Sequence, residues 1–305
     1  MIITQCACCA APLPRLAKQC SRCKTRYCGP ACQKQHWDEG GHDELCKNIK
    51  KGGGAEQYDA DANYREAVTV AVEKCVDDTK DQTCYICMEA VHWKTNEGLV
   101  RGCACHTTEG FVHVSCLVEQ AKILREEAEY NNLDTKAKTA EWWWYSCSLC
   151  EQHYHGVVKC ALGWACWKTY LSRPEADWSR RKAITELGSG LSAAQHHEDA
   201  LSVKLVEFSM ERRLGASENN ILAVQGNIAN SYDTLGRFKE ALSRRRKICS
   251  GWSRLAGEDN ERYLRAADNL ALSLIRLQRI GEAKSLLRKA TPVEGVFSGK
   301  VMMPR

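Results

Sequence analysis

Apolar and polar residues alternate with a helical period over much of this chain. The spacing predicts a helix from about Glu56 to Lys74 and a second along LVEQAKILREEAEYNNL, residues 117 to 133. An apolar helical stretch holding Trp164, Trp167 and Trp178 is placed to pack the cysteine-rich part of the chain onto its tail. Beyond Arg173-Pro174, helix formers dominate and β-branched runs vanish, so an all-helical tail is expected from 174 to 291. That tail repeats itself. Aligning HHEDALS, RFKEALS and RIGEAKS puts Ala200, Ala241 and Ala283 in register, at spacings of 41 and 42 residues. Upstream, Leu187, Ile228 and Leu270 form one equivalent set, Gly188, Ala229 and Ala271 another, and Leu191, Tyr232 and Leu274 a third. Small residues recur where paired helices must cross closely; large apolar ones recur where they fill the space between.

Composition adds one outlier. With 27% charged and 44% hydrophobic residues in a length of 305, the chain is neither disordered nor fibrous. It holds 19 cysteines, eight within residues 1–50, ten within 75–166 and only Cys249 later. No stretch reaches the length of a membrane span, and the start, MIITQCACCAAP, lacks the basic and apolar regions of a secretory signal. An intracellular, soluble location, cytoplasm or nucleus, is therefore expected, where cysteines serve as metal thiolates or reduced core thiols. The net charge of +5 resides in residues 1–51, where nine Lys/Arg face four Asp/Glu. Such a small basic module could touch nucleic acid, but no base-reading helix supports that use, and lysines also offset thiolate charge. The run Arg244, Arg245, Arg246, Lys247 reads as a solvated helix face, and Lys50-Lys51 with Gly52, Gly53 and Gly54 as a flexible join.

Residues 1–50 contain four close pairs: Cys6 and Cys9, Cys20 and Cys23, Cys28 and Cys32, His42 and Cys46. Eight donors make two tetrahedral zinc sites, because spacers of two or three residues let one turn aim both side chains at one ion. A segment this short needs the metal: its apolar core is too small to offset chain entropy, whereas structural zinc contributes about 10–16 kcal/mol. The run YCGPACQKQHW, Tyr27 to Trp37, followed by His42 and Cys46, resembles the MYND zinc finger. The resemblance implies interleaved ligands, with Cys6, Cys9, Cys28 and Cys32 on one ion and Cys20, Cys23, His42 and Cys46 on the other. Cys8 could substitute for Cys9, and His36 is an alternative ligand. Four residues separate Trp37 from His42 where the family usually has two. MYND fingers bind short, often proline-containing peptides, which implies partner contacts at Gln33 and Trp37; Trp37 could equally be core.

A second module, 81–173, comes after a linker and helix at 51–80. Its ligand order is Cys84, Cys87, Cys103, Cys105, His113, Cys116, Cys147, Cys150. This resembles the RING-variant (RING-CH) finger, which implies Cys84, Cys87, His113 and Cys116 on one zinc and Cys103, Cys105, Cys147 and Cys150 on the other. Thirty residues separate Cys116 from Cys147, and a helical insertion ending in Trp142, Trp143 and Trp144 is expected to close back onto the finger. RING-type fingers are commonly ubiquitin ligases that hold a charged conjugating enzyme in its reactive conformation, and the resemblance implies docking at Ile86, which could equally be core. The family's Trp after the sixth ligand is absent, and Glu151 sits just after the last ligand where a cation is common. Cys75, Cys160, Cys166 and Cys249 read as core, and His153 and His155 as surface or supporting groups.

The repeats resemble TPR helix pairs in the longer form of kinesin light chains. The expected architecture is thus two cross-braced, zinc-stabilised α+β modules, an all-α TPR-like hairpin array and a flexible C-terminus, 292–305. The function expected is a zinc-binding protein–protein interaction adaptor with four Zn2+, no catalytic residue, no membrane partner and no nucleic acid. A RING-variant-type ubiquitin ligase is the alternative. A SET-type methyltransferase is discounted, since neither its Asn-His pair nor its Gly-rich cofactor loop is present.

Overall fold

The computed structural model describes residues 5–14, 16–105, 109–131 and 144–290. Trp142, Trp143 and the expected flexible terminus at 292–305 lie outside the described residues. Among those described there are eleven helices and one two-stranded sheet, with the Cys/His-rich modules first and helical hairpins after them. The chain divides into two compact units, Met1–Met210 and Glu211–Arg305.

In the first unit, β1 (Lys18–Gln19) pairs antiparallel with β2 (Arg26–Tyr27), Lys18 opposite Tyr27. Helix α1 (Pro30–Asp38) starts on a proline, whose fixed φ suits a first helical turn. After it come α2 (His42–Lys51) and α3 (Ala55–Cys75). The glycine run between α2 and α3 is a hydrogen-bonded turn rather than a loose join. The N–H groups of Gly52, Gly53 and Gly54 donate to the carbonyls of Asn48, Lys50 and Ile49, and the Ala55 N–H donates to the Cys23 carbonyl at 2.8 Å. Gly53 and Gly54 adopt φ of 88° and 99°, values that glycine takes at little cost. Helix α3 is therefore tied to the first module at its start.

Helix α4 (Val114–Tyr130) carries Cys116 in its first turn, and α5 (Gly156–Tyr170) begins six residues after Cys150. Val68, Ala71 and Cys75 of α3, Val100 and Val112 of an isolated bridge, Leu117 of α4 and Leu162 of α5 share one buried core. Helix α6 (Trp178–Ala193) is capped by Asp177, whose carboxylate accepts from the Arg180 N–H at 3.1 Å. It crosses α5 at two glycines. A β-carbon on Gly163 would stand 2.9 Å from the Glu186 carbonyl, and one on Gly190 would stand 2.7 Å from that of Lys159. Trp164 and Trp167 of α5 are buried, while Trp178 is partly exposed. Helix α7 (His197–Arg213) pairs with α6 through Lys204 to Ser192 at 2.8 Å and Thr185 to Glu207 at 2.5 Å.

The second unit contains α8 (Glu218–Thr234), α9 (Phe238–Ala256), α10 (Glu261–Arg276) and α11 (Ile280–Ala290) around a common core. The repeat is written in the backbone as well as in the side chains. The turns after α6, α8 and α10 each place one residue at positive φ: Gln195 (68°), Gly236 (71°) and Gln278 (59°), spaced 41 and 42 residues apart. The next residue closes each turn, the N–H groups of His196, Arg237 and Arg279 donating to the carbonyls of Leu191, Tyr232 and Leu274. Every member of the four aligned sets is buried except Tyr232, which is half-buried.

The basic run on α9 differs from expectation. Arg245 is 8% exposed. It lies four residues from both Ala241 and Cys249, on the core face, and donates to the Asn269 carbonyl (2.7 Å), Ser273 (3.1 Å) and Asn230 (3.2 Å). It also pairs with Asp233. A buried guanidinium is tolerated there because acceptors surround it.

Candidate metal centres

Four groups of four donors lie with all ligand atoms within 4.8 Å of one another: Cys6, Cys9, Cys28, Cys32; Cys20, Cys23, His42, Cys46; Cys84, Cys87, His113, Cys116; and Cys103, Cys105, Cys147, Cys150. Each module thus interleaves its first and third pairs, and its second and fourth. All sixteen donors singled out in the sequence fall in these groups. Cys8 points instead to Gln35, at 3.6 Å, and the His36 ring nitrogen meets the Tyr27 hydroxyl at 3.2 Å.

Four of the pairs share one turn. In Cys6–Ala11, Cys20–Thr25, Cys84–Glu89 and Cys147–Gln152 the first cysteine's carbonyl accepts from the fifth residue, and its N–H donates to the carbonyl of the sixth, at 2.8–3.0 Å. The fifth residue, Ala10, Lys24, Met88 or Glu151, takes φ between 55° and 67°. Amides inside the turn face the first sulfur; those of Ile86 and Leu149 donate to Cys84 and Cys147 at 3.4 Å. The effect on acidity is shared. Burial opposes ionisation of Cys6 and Cys20, but turn amides, joined by the Cys28 amide at Cys6 and the His42 ring at Cys20, outweigh it and pull both down to about 6. The Cys103 thiol, aided by turn amides against burial, pulls Cys147 down to about 4, and Cys84 is lowered by turn amides and the His113 amide, which together outweigh its burial. Such a turn is built to hold a thiolate.

A fifth turn of this form, His92–Glu97, carries no cysteine pair. Asn96 takes φ of 56°, and His92 Nδ1 accepts from the Thr95 N–H and hydroxyl at 3.1 and 2.8 Å. Hydrogen bonds close it without an ion.

Four of the eight remaining donors sit at helix starts, where the dipole favours anionic ligands such as thiolates. Cys32 lies in the first turn of α1, His42 opens α2, and His113 caps α4 with Cys116 in its first turn. A tetrahedral zinc with Zn–S bonds of about 2.3 Å has S···S edges of about 3.8 Å and S···N edges of about 3.6 Å. The Cys9–Cys28, Cys28–Cys32 and Cys32–Cys9 separations are 3.7, 3.4 and 3.7 Å, and Cys20–Cys46 and Cys105–Cys147 are both 3.7 Å. Cys23 to His42 Nε2 is 3.5 Å, and His113 Nδ1 lies 3.4 and 3.7 Å from Cys87 and Cys116. These separations match the edges of such a tetrahedron, and the donor set fits a soft divalent ion. The other ring nitrogen of His113 is 3.5 Å from the Ala90 carbonyl, a contact that orients the imidazole.

Several contributors were not legible in the sequence. Gly110, at φ 86°, has no room for a side chain: a β-carbon would stand 3.1 and 3.2 Å from the sulfurs of Cys105 and Cys103. Of the surface residues singled out, Gln33 is half-buried and Trp37 is 41% exposed, with its ring edge against His42 at 5.6 Å. Ile86 packs against the core of the second module, whereas nearby Met88 and Trp93 are largely exposed. Cys75, Cys160, Cys166 and Cys249 are buried, and His153 and His155 exposed.

No protein-family model and no curated protein matches the chain. Among solved structures it is similar to BtubC (BKLC) from P. vanneervenii, with a TM-score of 0.44 and 13% identity over 58% of this chain and 70% of that one. A likeness of that size carries no argument about this chain. The fold and the clusters define a helical protein with two Cys/His-rich modules and four places that could each hold a metal ion. Among the described residues no helix is long and apolar enough to cross a membrane.

Proposed function

We propose that the chain is a zinc-dependent protein–protein interaction adaptor. Two cross-braced fingers, MYND-type at 1–50 and RING-CH-like at 81–173, hold four zinc ions through the sixteen donors, and a TPR-like array at 174–291 presents a partner-binding face. The observation that carries this reading is the set of four four-donor clusters with tetrahedral edges. Each cluster has its four ligand positions filled by protein donors, which leaves none open for a reacting water, so each ion has a structural role. The repeated hairpins support partner binding, because stacked helix pairs expose extended surfaces that receive peptides or helices. The ligase alternative gains no separate support: Ile86 is packed against its own module and Glu151 occupies a turn position.

Native mass spectrometry tests the metal content, with four zinc ions per chain expected and two or fewer removing one finger from the reading. Titration with proline-containing peptides, wild type against Trp37→Ala, tests the adaptor role of the first finger. Equal binding by both proteins would discard Trp37 as a contact.

A further inference from the structure

Within the first unit, a cavity of about 120 Å3 lies among α4, α5, α6 and Trp144. Its apolar wall is aromatic. Trp144 and Tyr170 are each 5% exposed and meet edge to face at 5.7 Å, and Trp178 of α6 adds a third ring. Its charged wall is mainly basic. Arg125 of α4 and Lys182 of α6 lie 5.1 and 5.5 Å from the Trp178 ring centroid. Arg125 is held by Glu129 through Nε at 2.8 Å, whereas Lys182 has neither a hydrogen bond nor an ion pair among the described residues. Glu186, one turn beyond Lys182, is the single acid among the described lining residues; burial raises its carboxyl, opposed by Lys159 and Lys182. Asp177, the cap of α6, is outside the lining and is paired with Arg173 at 3.5 Å. Ser179, in the first turn of α6, also lines the cavity, and it is 4% exposed with no hydrogen-bond partner for its hydroxyl. A buried hydroxyl costs free energy when unpaired, so one in the wall of a basic, aromatic cavity points to a ligand that pairs with it.

We propose that this cavity binds a carboxylate on a short apolar stem, its oxygens meeting the Ser179 hydroxyl and the Lys182 ammonium and its stem lying against the Trp144 and Tyr170 rings. The hydroxyl and the ammonium both donate, so one anion satisfies both, whereas a neutral acceptor leaves the Lys182 charge unpaired. A cationic ligand fits less well. Two cations already lie over Trp178, and the described lining carries two basic side chains against one acid. A cavity of about 120 Å3 holds a group the size of one short side chain, since one of about 150 Å3 encloses benzene. An Asp or Glu side chain of a partner polypeptide and a small free acid share this chemistry. None of the cavity's lining residues belongs to the four metal clusters. Only the polypeptide source draws on the adaptor reading.

The test uses the full-length, zinc-loaded protein in titration calorimetry with propanoate and with acetylated, amidated peptides of alanine and serine carrying one central Glu, Gln or trimethyl-lysine. The Glu peptide is expected to bind about tenfold more tightly than the Gln peptide, with affinity falling as salt rises. Lys182→Met keeps the stem, removes the charge and should weaken Glu-peptide binding about tenfold. Ser179→Ala should weaken it about fivefold while leaving the melting temperature of the free protein unchanged or raised, because the hydroxyl it removes is unpaired. A purely structural Ser179 would instead lower the melting temperature and leave binding at the wild-type value, which overturns its assigned contact. Glu186→Gln should strengthen binding about twofold. Propanoate binding as tightly as the Glu peptide supports the site with a small acid as its source; tighter binding of the Glu peptide supports it with a polypeptide side chain. Circular dichroism identifies any variant that fails to fold, and Lys182→Gln, at an exposed position, then replaces it. Absence of binding by both propanoate and the Glu peptide, Gln or trimethyl-lysine peptides binding as tightly as the Glu peptide, or wild-type affinity in the folded Lys182 variant overturns the proposal. Proline-peptide binding through Trp37 on the same preparation reports on the adaptor reading separately.

Discussion

Gly110 looks onto Cys105: a β-carbon on the glycine would stand 2.7 Å from the Cys105 β-carbon. Gly110 thus guards the cluster of Cys103, Cys105, Cys147 and Cys150 without contributing a ligand. Gly110→Ala is expected to displace the two nearest sulfurs and lower the zinc count by one. Gly102→Ala is the control, since its nearest neighbours are all Val158 side-chain atoms, the closest at 2.5 Å. It should destabilise the fold and keep the metal, as read by native mass and thermal melting.

Cys23 carries both a donor atom and the carbonyl that accepts from Ala55, the first residue of α3. Cys23→Ser keeps that backbone contact and removes the sulfur. Loss of one ion and unfolding of the first module are expected, with the helicity of the second unit unchanged by circular dichroism. Melting of the second unit as well would show that the modules fold as one.

Acid should strip the ions. Cys6 and Cys20 are lowered from 9.0 to about 6, and Cys147 to about 4. A lowered thiol stabilises the fold fully above its ordinary value of 9.0 and ceases to do so as pH falls through its folded value. Release to a chromogenic chelator is therefore expected to rise as pH falls, because protons and the ion compete for the same thiolates. Release that does not change with pH would contradict this.

Gln278 takes the left-handed conformation that Gly236 takes at the equivalent turn. Removing its β-carbon relieves about 1 kcal/mol of backbone cost, partly offset by the greater freedom of glycine in the unfolded chain. Gln278→Gly should leave stability in denaturant unchanged or raise it by up to about 1 kcal/mol, whereas Gln278→Val should lower it.

Arg245→Ala removes a buried cation from Asp233, whose side chain is 9% exposed and retains only Arg276, at 3.3 Å, as an ion-pair partner among the described residues. A loss of about 3 kcal/mol in the second unit is expected in urea unfolding. Arg246→Ala, on the exposed side of the same run, should change stability by less than about 0.5 kcal/mol.

Much of the candidate site was legible because zinc-type pairing is local. A cysteine and the one three residues on must share a turn, so Cys6 with Cys9 or Cys84 with Cys87 can be read without knowing the fold. Interleaving of the pairs is not local; it came from family resemblance, and the clusters place the same residues together. The repeat was legible for a similar reason. Ala200, Ala241 and Ala283 mark a hairpin whose helices touch within a few dozen residues, so side-chain size recurs along the chain.

By itself, then, the sequence determined the donor pairs, the helical periods and the register of the repeats, since each depends on neighbours a few residues to a few turns away. Only the tertiary structure decided which side of a helix is covered. It turned Arg245 inward while Arg246 stayed in water, left Gly110 against two sulfurs, and brought Arg125, Tyr170 and Ser179 from three helices to one cavity. Burial, close approach and unpaired charge are properties of surfaces that meet, and residues far apart along a chain carry no local mark of where they will meet.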